Sequence, residues 1–466
     1  MSATPPSSDS GDAAEATSLA RKLVRIAVPV ALTQLGIMGF NFVDTIMLGR
    51  VGVFALDASA LGTLWFLGTT MFGIGVIMGL DPILTQAHGR GDAKRQGQGL
   101  HWGLITATWL SLPLIALGWL TEEALVALGQ DAELAAAAET YVRVQVWSIP
   151  PLLWFFTMRQ YLQAREIVAP ALWVTLIANV FNVGANEALI FGHFADLGLP
   201  ALGLRGAGVA TGLTRTFTCV ALAAWILRRR LYAGAWHPWS RESFDAEGLL
   251  KVLRFGAPVG LQYTVEVWAF QATTLLAGTL GREALAAHTI VLNLTSVTFM
   301  VPLGISFGAS TVVGNLIGSG RLRDAQRSAW IGVLMGAGVM SLSAVMMVSC
   351  RELLPLAYTR EAEIVALAAT LLPITACFQI FDGVQVVGSG VLRGMGDTVP
   401  AAGFNLFAYF GLALPLAGYL VLRRGYGLPA LWVAMALGLA VVAVAMVAWI
   451  YWRGPARRPG LASKAE

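Results

Sequence analysis

The chain has 466 residues, of which 56% are hydrophobic and only 12% charged, with a mean hydropathy of +0.68 and a formal net charge of +4. Soluble domains carry about twice that charged fraction, so a water-soluble globular protein is excluded. Three scattered cysteines, Cys219, Cys350 and Cys377, exclude a disulfide framework or a cysteine metal cluster, and basic residues that do not cluster with exposed aromatics exclude a nucleic-acid patch.

Residues 1–20, rich in Ser, Ala and Pro with interspersed acids, lack the basic-then-apolar order of a secretory signal and read as a disordered cytoplasmic tail. From Ala27 to Tyr451, apolar stretches of about 20 residues recur, each long enough to span a bilayer. In the first half they fall near 26–48, 59–82, 100–119, 141–162, 170–192 and 206–227. In the second half they fall near 257–279, 286–314, 328–349, 364–388, 400–421 and 428–451. The expected fold is an all-α polytopic membrane protein with about twelve spans.

Alternate loops are basic: Arg21-Lys22, Lys94-Arg95, Arg165, Arg228-Arg229-Arg230, Arg321 with Arg323 and Arg327, Arg393, and Arg457-Arg458. One intervening loop, 121–140, is acidic, and Arg423-Arg424 is the single misfit. The positive-inside rule then puts both termini in the cytoplasm. Trp449, Tyr451 and Trp452 near a cytoplasmic helix end read as interface anchors.

The sequence repeats itself. Pro29 recurs as Pro258, a shift of 229 positions, and the same shift pairs Gly52 with Gly281, Gln86 with Asn315, Gly89 with Gly318 and Gly91 with Gly320. Six spans therefore follow six in the same orientation, as two lobes related by a pseudo-two-fold along the membrane normal. The expected organisation is an N-lobe over 21–227, a cytoplasmic inter-lobe loop over 228–254, a C-lobe over 255–452 and a cytoplasmic tail over 453–466.

Three carboxylates stand inside apolar runs: Asp44 in FNFVDTIMLG, Glu266 in YTVEVWAFQATTLLAG and Asp382 in FQIFDGVQVVGSG. An Asp at the centre of a bilayer costs about 2.5–3.5 kcal/mol on insertion scales, so intramembrane acids mark ion or substrate pathways. None has an acidic counterpart in the other half: Glu266 corresponds to Ile37 and Asp44 to Thr273. Asn182 and Asn186 share one helix face at i and i+4, and Gln379 and Gln385 flank Asp382 at i−3 and i+3.

Residues 29–52 (PVALTQLGIMGFNFVDTIMLGRVG) resemble the first helix of the multidrug and toxic compound extrusion (MATE) family. The segments 79–92 (GLDPILTQAHGRGD), 176–192 (LIANVFNVGANEALIFG), 206–213, 285–294 and 385–398 resemble later family segments in the same order. The surroundings of Glu266 and Asp382 resemble the NorM-type bacterial branch. The resemblance implies an inner-membrane antiporter that exports amphipathic, mostly cationic drugs in exchange for inward Na⁺ or H⁺, with no cofactor and no enzymatic activity. It assigns cation coupling to Glu266, Asp382 and Asp44, with Na⁺ as a candidate ligand at each, and groups Asn182 and Asn186 with Asp44. Gln34, Tyr263, Gln271, Gln379 and Phe381 are the candidate residues of the substrate cleft. Glu187 and Asp81 depart from the family pattern. The expected partners are organic cations and the bilayer, with the protein acting as a monomer.

A lipid-linked precursor flippase of the same architecture is the alternative; it calls for extra helices and a basic cleft. The string Gly394-Met395-Gly396-Asp397 fits an intramembrane protease motif but falls in a basic loop without its partner helix. No P-loop is present, so ATP does not drive this chain directly.

Overall fold

The structure is a computed structural model and describes residues 8–192 and 200–458; the expected tail residues 1–7 and 459–466 lie outside these. Among the described residues the regular structure is all helical, without a strand. The first half forms α1 (Ser8–Val51), α2 (Val53–Met78), α3 (Leu80–Arg90), α4 (Ala93–Gly118), α5 (Thr121–Ala127), α6 (Ala132–Arg143), α7 (Ile149–Ala164), α8 (Ala169–Phe191) and α9 (Leu204–Arg228). The second half forms α10 (Ala246–Gly278), α11 (Arg282–Gly318), α12 (Leu322–Ser349), α13 (Ala362–Met395), α14 (Thr398–Leu406), α15 (Leu414–Gly418) and α16 (Gly427–Arg453). Between α14 and α15 the backbone widens into a π-helix over Phe407–Ala413.

Ten helical segments among the described residues are long and apolar enough to cross a membrane. The other two expected spans are α7, which has only 16 residues, and α10, whose apolar part is interrupted by Gln262, Glu266 and Gln271. Pro150 and Pro151 open α7, where missing N–H groups leave no helical bond unmade, and this delays its start relative to the span expected from 141. The acidic loop of 121–140 folds as α5 and α6, with Asp131 capping α6 through Glu133 and Leu134. The segment 8–20, expected as tail, is the opening of α1; Glu15 pairs there with Arg321 at 3.0 Å and Arg327 at 2.8 Å. Large apolar side chains point outward along the spans: Val180 is 75% exposed and Leu342 72%. Such a surface requires lipid, because water would meet a continuous apolar patch.

The chain divides into two compact units. The C unit holds residues 1–32, 85–91 and 265–466; the N unit holds 33–84 and 92–264. These differ from the expected lobes: the first part of α1 packs within the C unit and the first part of α10 within the N unit. The reason lies in small residues. In the N unit, a Cβ on Gly75 would sit 2.5 Å from Gly260 Cα, and one on Gly79 2.4 Å from Gly256 Cα. In the C unit, a Cβ on Gly304 would sit 2.6 Å from Ala31 Cβ. Gly75 and Gly304 are equivalent under the 229-residue shift, as are Ala31 and Gly260. The second helix of each repeat therefore grips the first helix of the other repeat at matching points.

The repeat extends to backbone angles. Gly52 and Gly281 precede α2 and α11 with φ of 151° and 109°, while Gly91 and Gly320 follow α3 and α11 with φ of 74° and 75°. Side chains strain there, so both breaks need glycine. Within the C unit, a Cβ on Gly89 would meet the Asn315 carbonyl at 2.0 Å and one on Gly318 the Gln86 carbonyl at 2.1 Å, the same contact made twice. Gly79→Val is expected to destabilise the protein by at least about 1–3 kcal/mol, as overpacking does, because backbone leaves no room to yield. A lowered melting temperature of the purified variant checks this; an unchanged one refutes the close approach.

The inter-lobe stretch is a docked strap. Arg165 donates to the Leu231 and Ala233 carbonyls, and Tyr161 donates to the Ala235 carbonyl at 2.7 Å. Glu242 accepts from Lys94 at 2.7 Å and from Gln98 at 2.9 Å. The Lys94 hydrogen bond and charge hold the exposed Glu242 carboxyl below its usual range.

Candidate functional site

The N unit assembles its polar site from α1, α8 and α9. On α8, Asn179, Asn182 and Asn186 lie at i, i+3 and i+7, one face of the helix. Asn179 Nδ2 donates to the Gly36 carbonyl at 2.9 Å and so pins α1 against α8. A Cβ on Gly39 would meet Asn179 Oδ1 at 2.6 Å, so the two helices approach closely enough to bring Asp44 over Asn186.

Asp44 is buried, and both of its oxygens accept hydrogen bonds. Oδ1 takes Nδ2 of Asn186 at 2.6 Å and Nδ2 of Asn182 at 3.5 Å; Oδ2 takes the Thr211 hydroxyl at 2.6 Å. Asn182 also donates to Thr214 at 3.3 Å. Arg215, one turn beyond Thr211 on α9, interacts electrostatically with Asp44 and with the buried Tyr141. Its guanidinium donates to Gln145 Oε1 at 3.0 Å and Ser148 Oγ at 3.3 Å, and lies 4.2 Å from the Phe66 ring centroid. Asp44 is thus surrounded by donors and has a resident cation nearby.

The C unit differs. Asp382 is buried on α13, Glu266 is half-buried on α10, and the two interact electrostatically with each other and with Tyr409 of the π-helical stretch. Among the described residues, neither carboxylate has a Lys, Arg or His partner. An aromatic layer lies one turn from Glu266: Phe270 packs on Phe378 at 6.1 Å and on Tyr409 at 6.2 Å, and Phe378 packs on Trp432 at 5.7 Å. Gln379 donates to the Thr298 hydroxyl, and Gln385 to Asn405 Oδ1 at 3.0 Å, which ties the Asp382 helix to α11 and α14.

The remaining sequence candidates scatter. Gln34 accepts from Arg159 Nη1 at 2.7 Å in the N unit, where Tyr263 is half-buried. Gln271 is half-buried on α10 in the C unit. Phe381, next to Asp382 in sequence, lines an outward apolar groove with Trp330 and Val384. Asp81 is buried and accepts from Gln160 at 2.7 Å, and Glu187 is half-buried and partnered. The sequence reading missed Thr211, Tyr141 and Arg215 in the N unit and Tyr409 in the C unit. Arg215 carried a signal, as an arginine inside an apolar stretch (GLTRTFTCVALAAW).

An all-α, multi-pass chain with a buried ionisable site in each of two units built from repeats has the form of a membrane transporter. The chain belongs to the MatE family, whose pattern it matches twice, over residues 29–186 and 258–418. It is 36% identical over 432 residues to a probable multidrug resistance protein NorM of Bradyrhizobium diazoefficiens, covering 91% of each chain. A protein of the same description from Mesorhizobium japonicum is 32% identical, with 92% of each chain covered. Among solved structures, a eukaryotic MATE transporter, AtDTX14, superposes with a TM-score of 0.89 at 21% identity, covering 97% of this chain and 100% of the other. The Vibrio cholerae MATE transporter VcmN in the bent form gives 0.81 at 18% identity, covering 96% and 99%. At these identities the structures speak for the fold.

Proposed function

We propose that the chain is a multidrug efflux antiporter of the bacterial inner membrane. It exports amphipathic, mostly cationic organic compounds in exchange for inward Na⁺ or H⁺, with both termini cytoplasmic and access alternating between the two sides. The supporting observation is the difference between its two acidic sites. Glu266 and Asp382 are two interacting carboxylates without a basic partner among the described residues, and like charges in an apolar setting demand a proton or cation. Asp44 already has donors on both oxygens and Arg215 nearby. The C-unit pair is therefore the exchange site, where an inorganic cation and an organic one satisfy the same charge and displace each other. The aromatic layer of Phe270, Phe378 and Trp432 adds apolar surface and ring faces, which favour a cation by about 0.5–2 kcal/mol each when one sits over the ring. Antiport follows when the ion favours one access state and the drug the other.

Everted membrane vesicles test this reading. A lumen-high Na⁺ gradient or an acidic lumen is expected to drive accumulation of a fluorescent organic cation, and the matching ionophore to abolish it. Equilibration of the cation without accumulation under either gradient would instead mark a channel, and no movement of it a lipid-linked precursor flippase.

A further inference from the structure

We propose that the groove between α12, α13 and α16 is a binding site for one anionic glycerophospholipid, with an acyl chain along the groove and the phosphate on the arginines at its basic end. The groove has a volume of about 410 Å³, in the range of small-molecule sites. It is lined by Trp330, Phe381, Val384, Val447, Tyr451 and Trp452, with no charged side chain among its walls. It opens on the outer surface of the C unit, where Val444 and Trp452 are each 65% exposed, so in a bilayer its occupant is lipid.

Charge selects which lipid. Gln326 near the start of α12 donates to the Ile450 carbonyl near the end of α16, so those two ends lie together. Arg323 and Arg327 lie seven and three residues before Trp330, on the face of α12 that carries it. Arg453 ends α16 and Arg457 follows it. Asp397 engages Arg458 at 2.6 Å, and Glu15 engages Arg327 at 2.8 Å. Among the described residues, Arg453 and Arg457 are exposed and meet aromatic rings but no carboxylate: Arg457 lies 4.4 Å from the Tyr451 centroid and Arg453 6.0 Å from that of Trp449. The Arg457 guanidinium beside a groove-lining ring links the charged end to the apolar channel, and tryptophans near a helix end, such as Trp452, are the kind enriched at the headgroup level of a bilayer. An acyl chain moving from bilayer to groove exchanges one apolar setting for another, so preference comes from the headgroup. Arg453 and Arg457 together predict about thirtyfold selection of an anionic over a zwitterionic lipid, at about fivefold per basic residue.

Native mass spectrometry of the full-length protein, with phosphatidylglycerol and phosphatidylcholine competing in the same micelles, reads this directly. One phosphatidylglycerol is expected to be retained by the wild type. The Arg453→Gln/Arg457→Gln variant is expected to lose about thirtyfold of its preference for phosphatidylglycerol, and Ala448→Trp, which fills the groove, to lose the lipid. Acyl-brominated phosphatidylglycerol locates the site without a variant that burdens folding: it is expected to quench wild-type tryptophan emission more than that of Trp452→Phe. Retention of the two lipids in equal amounts, or quenching unchanged in Trp452→Phe, overturns the proposal. Displacement of the lipid by glycerol phosphate at equal concentration also overturns it, marking a phosphate site without an acyl chain. Lipid occupancy is measured without transport, so this result and that for the exporter are independent.

Discussion

The double variant Glu266→Gln/Asp382→Asn is expected to lose gradient-driven accumulation of an organic cation to the level of membranes without the protein, while folding at least as well as the wild type. The two halves of this expectation have one cause. Two carboxylates that interact in an apolar setting and have no basic partner among the described residues carry an electrostatic penalty in the folded protein. Neutral amides of the same shape remove that repulsion and the cost of charge in an apolar site. The same substitution leaves nothing for Na⁺, H⁺ or a cationic drug to neutralise, so exchange stops. A melting temperature equal to or above that of the wild type, together with lost transport, separates an exchange site from a structural one. A variant that is both inactive and unstable would assign the pair to the scaffold.

Asp44→Asn is expected to act in the opposite direction on stability. The carboxylate takes short hydrogen bonds from Asn186 and Thr211, both at 2.6 Å. An amide turns one acceptor into a donor, so one of these bonds to a charged group is lost, at about 1.5–3 kcal/mol. Arg215 is also left without its nearby anion. Adding Arg215→Gln to Asp44→Asn is expected to recover part of the loss, with a coupling of about 0.5–3 kcal/mol, the range for residues in one network. Melting temperatures of the two single variants and the double variant close the cycle. Strictly additive shifts would show that Arg215 does not compensate Asp44.

The acids and the two asparagines were legible because each interrupts an apolar run, where a polar side chain has few reasons to stand. Asn182 and Asn186 do reach Asp44, as their shared face requires. Thr211 was not legible, since hydroxyls along apolar helices commonly bond their own backbone, and the Thr211 hydroxyl also lies within 3.0 Å of the Ala207 carbonyl, its proton shared with Asp44. Tyr409 was hidden among the other aromatics of Phe407–Ala413, and nothing in that string announces a π-helix. The repeat told which positions are equivalent but not which ones touch. That Gly79 meets Gly256 of the other repeat depends on backbone proximity, which periodicity does not encode. Phe381 shows the limit of adjacency: a neighbour of Asp382 in sequence, it points into an outward groove.

The most direct test of the exchange site is cation release by the purified protein in weakly buffered detergent solution, followed with a pH indicator or a sodium-sensitive dye as tetraphenylphosphonium is added. The wild type and Asp44→Asn are predicted to release Na⁺ or H⁺ as the organic cation binds, and Glu266→Gln/Asp382→Asn to release none. Release from that double variant at the wild-type level, or its loss in Asp44→Asn alone, would contradict the assignment of exchange to Glu266 and Asp382.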